Sequence, residues 1–308
     1  MKAIMYHYVR KYNDNFPNFR FLDVSNFVRQ LDYFGDSFGF VDRDEWSRVA
    51  LEGDFDTMPP GVILTFDDAM SCHYEFVFEI LRKRGLWGIF YVPTKPYVSN
   101  KMLDVHRIHL LCGRFDGEKL LDACMSLIDE EMIPFTKREK FIENTYQRQH
   151  NAAGVSQFKR MLNYFVDESY KSEVIDELSS HFGFNDYDMS FYVGVENLSK
   201  MSKEGMVVGS HTVNHPVMSK LDRGSQAAEI RQSFQFLESV CDTSHRTYCH
   251  PYGGFHSFND ETISLLDECD VSYSFSVESR DITGEDLLNR KQCLPRYNCN
   301  EFSYGRAS

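Results

Sequence analysis

The chain has 308 residues, with 46 acidic against 33 basic side chains and a formal charge of −13. A field that negative argues against binding nucleic acid or an anionic membrane through net charge, and no apolar run approaches the ~20 residues that span a bilayer. Hydrophobic residues make up 42% of the sequence and aromatic residues 15%, enough to bury a sizeable core in one large domain or two ordinary ones.

In chain order, Lys2 to Tyr8 reads as a first short apolar strand. Met1 to Tyr8 carries no secretory apolar core and no cleavage site, so a cytoplasmic protein is expected. Val24 to Phe34 has apolar residues at 24, 27, 28, 31 and 34, which is helical spacing, with Ser25 as the expected cap. Met58-Pro59-Pro60-Gly61 breaks the chain. Val62 to Phe66 is a β-branched strand buried on both faces. Tyr74 to Lys83 is helical, with Gly85 as C-cap. Gly88 to Val92 is the next strand, closed by Pro93.

From about Lys101 to Leu198 the pattern changes. Apolar residues recur at helical spacing in charged stretches such as Leu120 to Ile128 and Lys171 to Phe182, and strand candidates are scarce. This stretch reads as a helical insertion within one domain spanning 1–308. Alternation then resumes: strand Met206 to Gly209, helix Ser225 to Cys241, strand Arg246 to Cys249, helix Asn259 to Glu268 and strand Val271 to Phe275. Strands alternating with helices indicate an α/β protein with a parallel sheet or barrel. Eight cysteines, at 72, 112, 124, 241, 249, 269, 293 and 299, form no CxxC pair. They read as small buried residues in a reducing compartment.

Two signatures fall at the C-terminal ends of predicted strands, where active sites gather in such folds. One is Thr65-Phe66-Asp67-Asp68. The other is Ser210-His211-Thr212-Val213-Asn214-His215. Each is common alone, as an N-cap or a surface pair. Together they offer two imidazoles and two carboxylates. His211 and His215 are four apart, so a helical turn would bring both rings to one side. A carboxylate completes a facial triad for one divalent metal. Side chains alternate along a strand, so Asp67 and Asp68 point different ways and one is left over as a base. Such a set suits hydrolysis of an amide or ester. A third segment, Tyr248-Cys249-His250-Pro251-Tyr252-Gly253-Gly254, follows another strand and forms a tight loop whose backbone N–H groups could face an oxyanion.

The order of these three segments resembles the polysaccharide deacetylase family, the NodB-homology or carbohydrate esterase 4 group. The resemblance covers roughly residues 1–98 and 196–302. It implies a distorted (β/α)7-type barrel and a metal-dependent removal of N-acetyl groups from amino sugars. By position it makes Asp67 the catalytic base, Asp68, His211 and His215 the metal ligands, and Tyr252 the donor of a backbone N–H to the oxyanion. The metal implied is zinc first, with cobalt, nickel or iron as alternatives.

Two features depart from the family. Cys249-His250 stand where many relatives have Arg-Pro. The late Leu-x-x-x-His motif, which supplies a general acid, has no counterpart after His256. His7, at the end of the first strand, is the expected substitute, since some members begin with a similar Tyr-His and have rearranged motif order. His250 is the second candidate. Arg296 is expected to replace the missing arginine or to bind a substrate anion, and Asp281 to orient a histidine. His106 and His109, in the insertion, could share a helix face. Packing and capping within the insertion is the first reading of that pair; the alternative is that the insertion lies over the barrel mouth, which would favour a small or terminal sugar. The activity expected is deacylation of an amino sugar, nucleotide sugar or short glycan for surface polysaccharide. The alternative is a catalytically silent sugar-binding module on the same fold.

Overall fold

The computed structural model describes residues 1–54, 58–134, 153–185, 187–241 and 245–307. The described chain separates into two compact units. The first holds residues 1–11, 21–101 and 189–308, and the second holds 12–20 and 102–188. Part of the expected insertion, residues 135–152 and 186, lies outside the described residues.

The first unit is built on a parallel sheet. β1 is Lys2–Tyr6, and the expected extension to Tyr8 instead gives way to β2, Val9–Arg10, which pairs with β3, Leu22–Asp23. The main sheet then adds β4 Val62–Asp67, β5 Ile89–Val92, β6 Val207–Ser210, β7 Arg246–Cys249, β8 Val271–Phe275 and β9 Tyr297–Asn298. Its seven strands run in the order β8-β7-β6-β5-β4-β1-β9, all parallel. The expected seven-stranded α/β sheet is present, curled as a half-barrel with β8 and β9 as its edges.

Both faces of the sheet are buried, which explains why Val62, Ile63, Leu64 and Phe66 of β4 are apolar whichever face they take. Leu64, Phe66, Phe90 and Val208 pack on one face with Phe27, Leu31, Leu81 and Met201 from helices. Ile63, Ile89, Tyr91 and Phe275 pack on the other with Trp46 and Leu294. Phe66 stacks between Tyr6 and Phe90, at 5.2 and 4.8 Å between centroids. Such pairs add about 0.5–1.5 kcal/mol each beyond area burial. Period-2 alternation puts Thr65 and Asp67 on the same face as Ile63. That is the face on which the site forms.

Helix Val24–Ser37 begins one residue earlier than its expected cap: Asp23, not Ser25, accepts the Ser25 N–H at 2.8 Å. A carboxylate just outside the first turn is the better acceptor, and the Ser25 hydroxyl also donates to it. The expected helix Tyr74 to Lys83 is a π-helical turn, His73–Phe78, running into α-helix Glu79–Lys83. Gly85 ends it with φ +64°.

The second unit is helical in its described part: Asp104–Arg114, Gly117–Leu127, Val155–Arg160 and Glu168–His181. Leu111, Leu120, Phe158, Ile175 and Leu178 are buried. His106 and His109 lie in its first helix with rings 6.3 Å apart, and His106 is fully buried. None of the eight cysteines is bonded to another, and five are buried. No helix of the described residues is long and apolar enough to cross a membrane.

Candidate metal centre and active site

Four strand ends of the first unit converge. Asp67 is the last residue of β4 and Asp68 the next; His7 follows β1, His211 follows β6, and Cys249 ends β7. The chain turns sharply after β4. Asp68 has φ +82° and Ala69 φ +50°, a left-handed pair that costs non-glycine residues about 1–2 kcal/mol each. The reversal sends the two carboxylates into different surroundings.

Asp68 faces imidazoles. Its Oδ1 lies 3.6 Å from His211 Nε2 and 3.7 Å from His215 Nε2, and its Oδ2 lies 3.9 Å from His7 Nε2. Asp68, His211 and His215 are buried, whereas His7 is 37% exposed. The ligand atoms of Asp68, His211 and His215 all lie within 4.8 Å of one another. The His211 tautomer is fixed by the protein. Nδ1–H donates to the Cys249 carbonyl at 2.8 Å, which leaves Nε2 as a lone pair facing Asp68. Burial, against the opposing pull of Asp67 and Asp68, lowers the His211 pKa and keeps the ring neutral. Neutral imidazole nitrogens with a carboxylate fit one divalent metal.

The two histidines meet differently from the expected helical turn. His211–His215 is a tight turn with φ +66° at Thr212 and +56° at His215. It brings the rings to 4.7 Å between centroids at 77°. The His215 N–H donates to Thr212 Oγ1 at 2.9 Å, and the Thr212 N–H to Ser210 Oγ at 3.2 Å.

Asp67 faces a cation. Arg296 donates Nη1–H to Oδ1 at 2.8 Å and Nη2–H to Oδ2 at 2.9 Å, a bidentate pair. Arg296 is 1% exposed and also donates to Thr65 Oγ1, the Ser276 carbonyl and Cys249 Sγ. Burial alone would raise the Asp67 pKa, but Arg296, with help from His211, outweighs it and holds the carboxyl below its usual value. Asp67, His211 and Cys249 also lie close enough to suggest a second metal triad. Its chemistry is poorer: Arg296 takes both Asp67 oxygens, and burial pushes the Cys249 thiol well up so that it stays protonated.

Tyr252, with φ +62°, places its ring 4.8 Å from His215. Gly253 follows at φ +70°, where a Cβ would stand 2.3 Å from Val277 Cγ2, so only glycine fits this loop.

Two expected site residues lie elsewhere. Asp281 accepts from Lys2 Nζ at 2.6 Å and from Tyr297 OH at 2.7 Å, and its side chain is 44% exposed. Lys2 begins β1, so this group sits at the opposite end of the strand from His7 and orients no histidine. His250 is buried, stacked on Phe258 at 3.8 Å, and donates Nε2–H to the Gln292 carbonyl at 2.8 Å. Burial pushes its pKa down to about 3. A ring held neutral in this way carries no imidazolium proton, and its Nε2–H is engaged by a carbonyl, so His250 is poorly placed as the second candidate acid.

Two residues escaped the sequence reading. His73, fully buried, donates Nε2–H to the His7 carbonyl at 2.6 Å. Glu229 grips the His211–His215 turn from helix Arg223–Val240. The only sequence signal for either was a charged or polar residue on a helix next to a signature.

Residues 165–274 match the model of the family described as polysaccharide deacetylase. Over that stretch, about a third of its length, the chain is similar to the polysaccharide deacetylase family. The matched stretch holds His211, His215 and Tyr252 and lies outside Asp67 and Asp68. Among curated proteins, none matches the sequence. Solved deacetylases share the fold. The Streptococcus pyogenes deacetylase PplD, solved in complex with acetate, aligns with a TM-score of 0.57 at 16% identity, over 97% of this chain and 91% of its own. A de-N-acetylase from Aggregatibacter actinomycetemcomitans aligns at 0.53 and 12% identity, over 96% and 93%. The BpsB deacetylase domain of Bordetella bronchiseptica aligns at 0.52 and 13%, over 96% of each chain. At these identities the likeness bears on the fold alone.

Proposed function

We propose that this polysaccharide deacetylase relative is a metal-dependent amide hydrolase. It would remove the N-acetyl or another small N-acyl group from an amino sugar, nucleotide sugar or short glycan in surface polysaccharide biosynthesis. One observation carries the reading: a buried Asp-His-His donor set stands beside a second carboxylate that is held separately. Sugar binding alone needs neither.

Asp68, His211 and His215 would hold the metal, zinc before cobalt, nickel or iron. A divalent ion there would polarise the acyl carbonyl and acidify a water. Asp67, kept ionised by Arg296, would take the proton of the attacking water as its oxygen bonds to the carbonyl carbon. The Tyr252 backbone N–H would donate to the oxygen that becomes negative. His7 would then give a proton to the sugar nitrogen as the C–N bond breaks, releasing a carboxylate and a free amine. What supports this role is that His7 is 37% exposed and its Nε2 lies 3.9 Å from Asp68 Oδ2, within reach of a group bound beside that carboxylate.

The test is acyl release. Protein loaded with each candidate metal is offered N-acetylated and N-formylated hexosamines, nucleotide-linked sugars and short oligomers. Stoichiometric acid and amine products are expected from one of these classes. A metal-loaded protein that binds sugars yet releases nothing would favour the silent binding module.

A further inference from the structure

We propose that Glu229 is a positioning residue for the metal pair His211 and His215. This rests on the reading of those two histidines, with Asp68, as ligands.

The turn from His211 to His215 is strained. Thr212 and His215 both sit in the left-handed region, at φ +66° and +56°, each conformation costing a non-glycine residue of order 1–3 kcal/mol. A relaxed turn would carry His215 away from His211. Glu229 opposes that relaxation. Its Oε2 accepts the N–H of Val213 and the N–H of Asn214, both at 2.8 Å, and its Oε1 accepts from Asn214 Nδ2 at 2.5 Å. Two successive backbone N–H groups converging on one oxygen form an anion nest, and a carboxylate makes these bonds charge-assisted. Four residues on, and so on the same helix face, Ser233 Oγ lies 2.5 Å from Ser210 Oγ. Ser210 Oγ in turn accepts the Thr212 N–H. One helix therefore holds the turn at its start, through Ser233, and at its middle, through Glu229. Glu229 is not itself a ligand, because both its oxygens are taken by the turn. It acts through the backbone between the two ligands.

The test reads metal affinity, independent of turnover. The full chain is titrated with Co2+ and Zn2+ against a chromogenic chelator, and the visible Co2+ band is recorded. Glu229→Met keeps the straight side chain and accepts nothing. It is expected to weaken affinity by about 10–100-fold and to shift the Co2+ band. Glu229→Gln, whose amide oxygen can still accept both backbone N–H groups, is expected to recover affinity to within a few-fold of wild type. Asn214→Asp, at an exposed position, sets a second negative charge against Glu229 and covers the case in which the Met variant fails to fold. It should weaken affinity several-fold, and more so at low salt. Wild-type binding with Glu229→Met and Asn214→Asp within two-fold of it, and an unchanged Co2+ band, would overturn the role of Glu229 alone. A wild-type protein that takes up neither metal would overturn the ligand assignment and this inference with it.

Discussion

Asp67 and Asp68 are neighbours in sequence and opposites in environment. Asp67 gives both oxygens to a buried guanidinium and has its pKa held low. Asp68 faces three imidazole Nε2 atoms at 3.6 to 3.9 Å. The difference arises from one backbone event, the φ +82° at Asp68 that ends strand alternation. Two like residues are thereby given two settings, one against a guanidinium and one against imidazoles, and the proposed function assigns them two tasks. Environment, not residue type, sets the role of a carboxylate.

The largest break in this comparison is expected from Arg296→Met. Removing one partner of a buried ion pair costs about 3–5 kcal/mol, read as a lowered urea midpoint at pH 7. Metal affinity should change far less, since Arg296 touches only the Asp67 side. Equal loss of both would merge the two halves. Next is His7→Gln. Losing a general acid is expected to lower kcat by at least ~10²-fold, roughly 2.7 kcal/mol, with metal content unchanged. An unaltered kcat would move the proton-donor role to another residue.

Acid titration separates the halves in another way. His250 is depressed from an ordinary 6.5 to about 3 in the folded protein. The unfolded chain takes a proton that the folded chain refuses. Stability is therefore lost as pH falls below about 6.5, by about 1.4 kcal/mol per pH unit until about 3. Asp67, also depressed, contributes stability above its unfolded value near 3.8 that disappears only as pH falls further, through its folded value. Urea unfolding of wild type and His250→Gln between pH 7 and 5 should show a shallower slope in the variant. The smallest effect belongs to Asp281→Asn. This half-exposed partner of Lys2 should change stability by under about 1 kcal/mol and leave acyl release untouched. A loss of activity there would reconnect the far end of the sheet with the site.

The donor set was legible because its chemistry is local. Asp67-Asp68 and His211 to His215 are short segments at strand ends, and strand ends are readable from apolar runs. Arg296 was singled out from the sequence either in place of a missing arginine or for a substrate anion, and the structure brings its guanidinium onto Asp67 across 229 residues of sequence. The geometry that joins these parts was not legible. Positive φ at Asp68, Thr212 and His215 occurs in residues that seldom adopt it, so nothing in their identity announces it. His73 and Glu229 act through backbone groups of other elements, and a backbone acceptor or donor leaves no mark in a sequence. Asp281 was misplaced because the sequence does not say which end of a strand a later acidic residue will reach. Residues 12–20 share the compact unit of 102–188, a long-range association that periodicity cannot show.

The most direct measurement is metal content and acyl release, taken side by side on wild type, Asp67→Asn and Asp68→Asn. Asp67→Asn is expected to bind one equivalent of metal and to lose about 10²–10⁴-fold in acyl release. Asp68→Asn is expected to lose the metal itself. Activity surviving in Asp67→Asn, or metal retained at full affinity in Asp68→Asn, would contradict the division of labour between the two carboxylates.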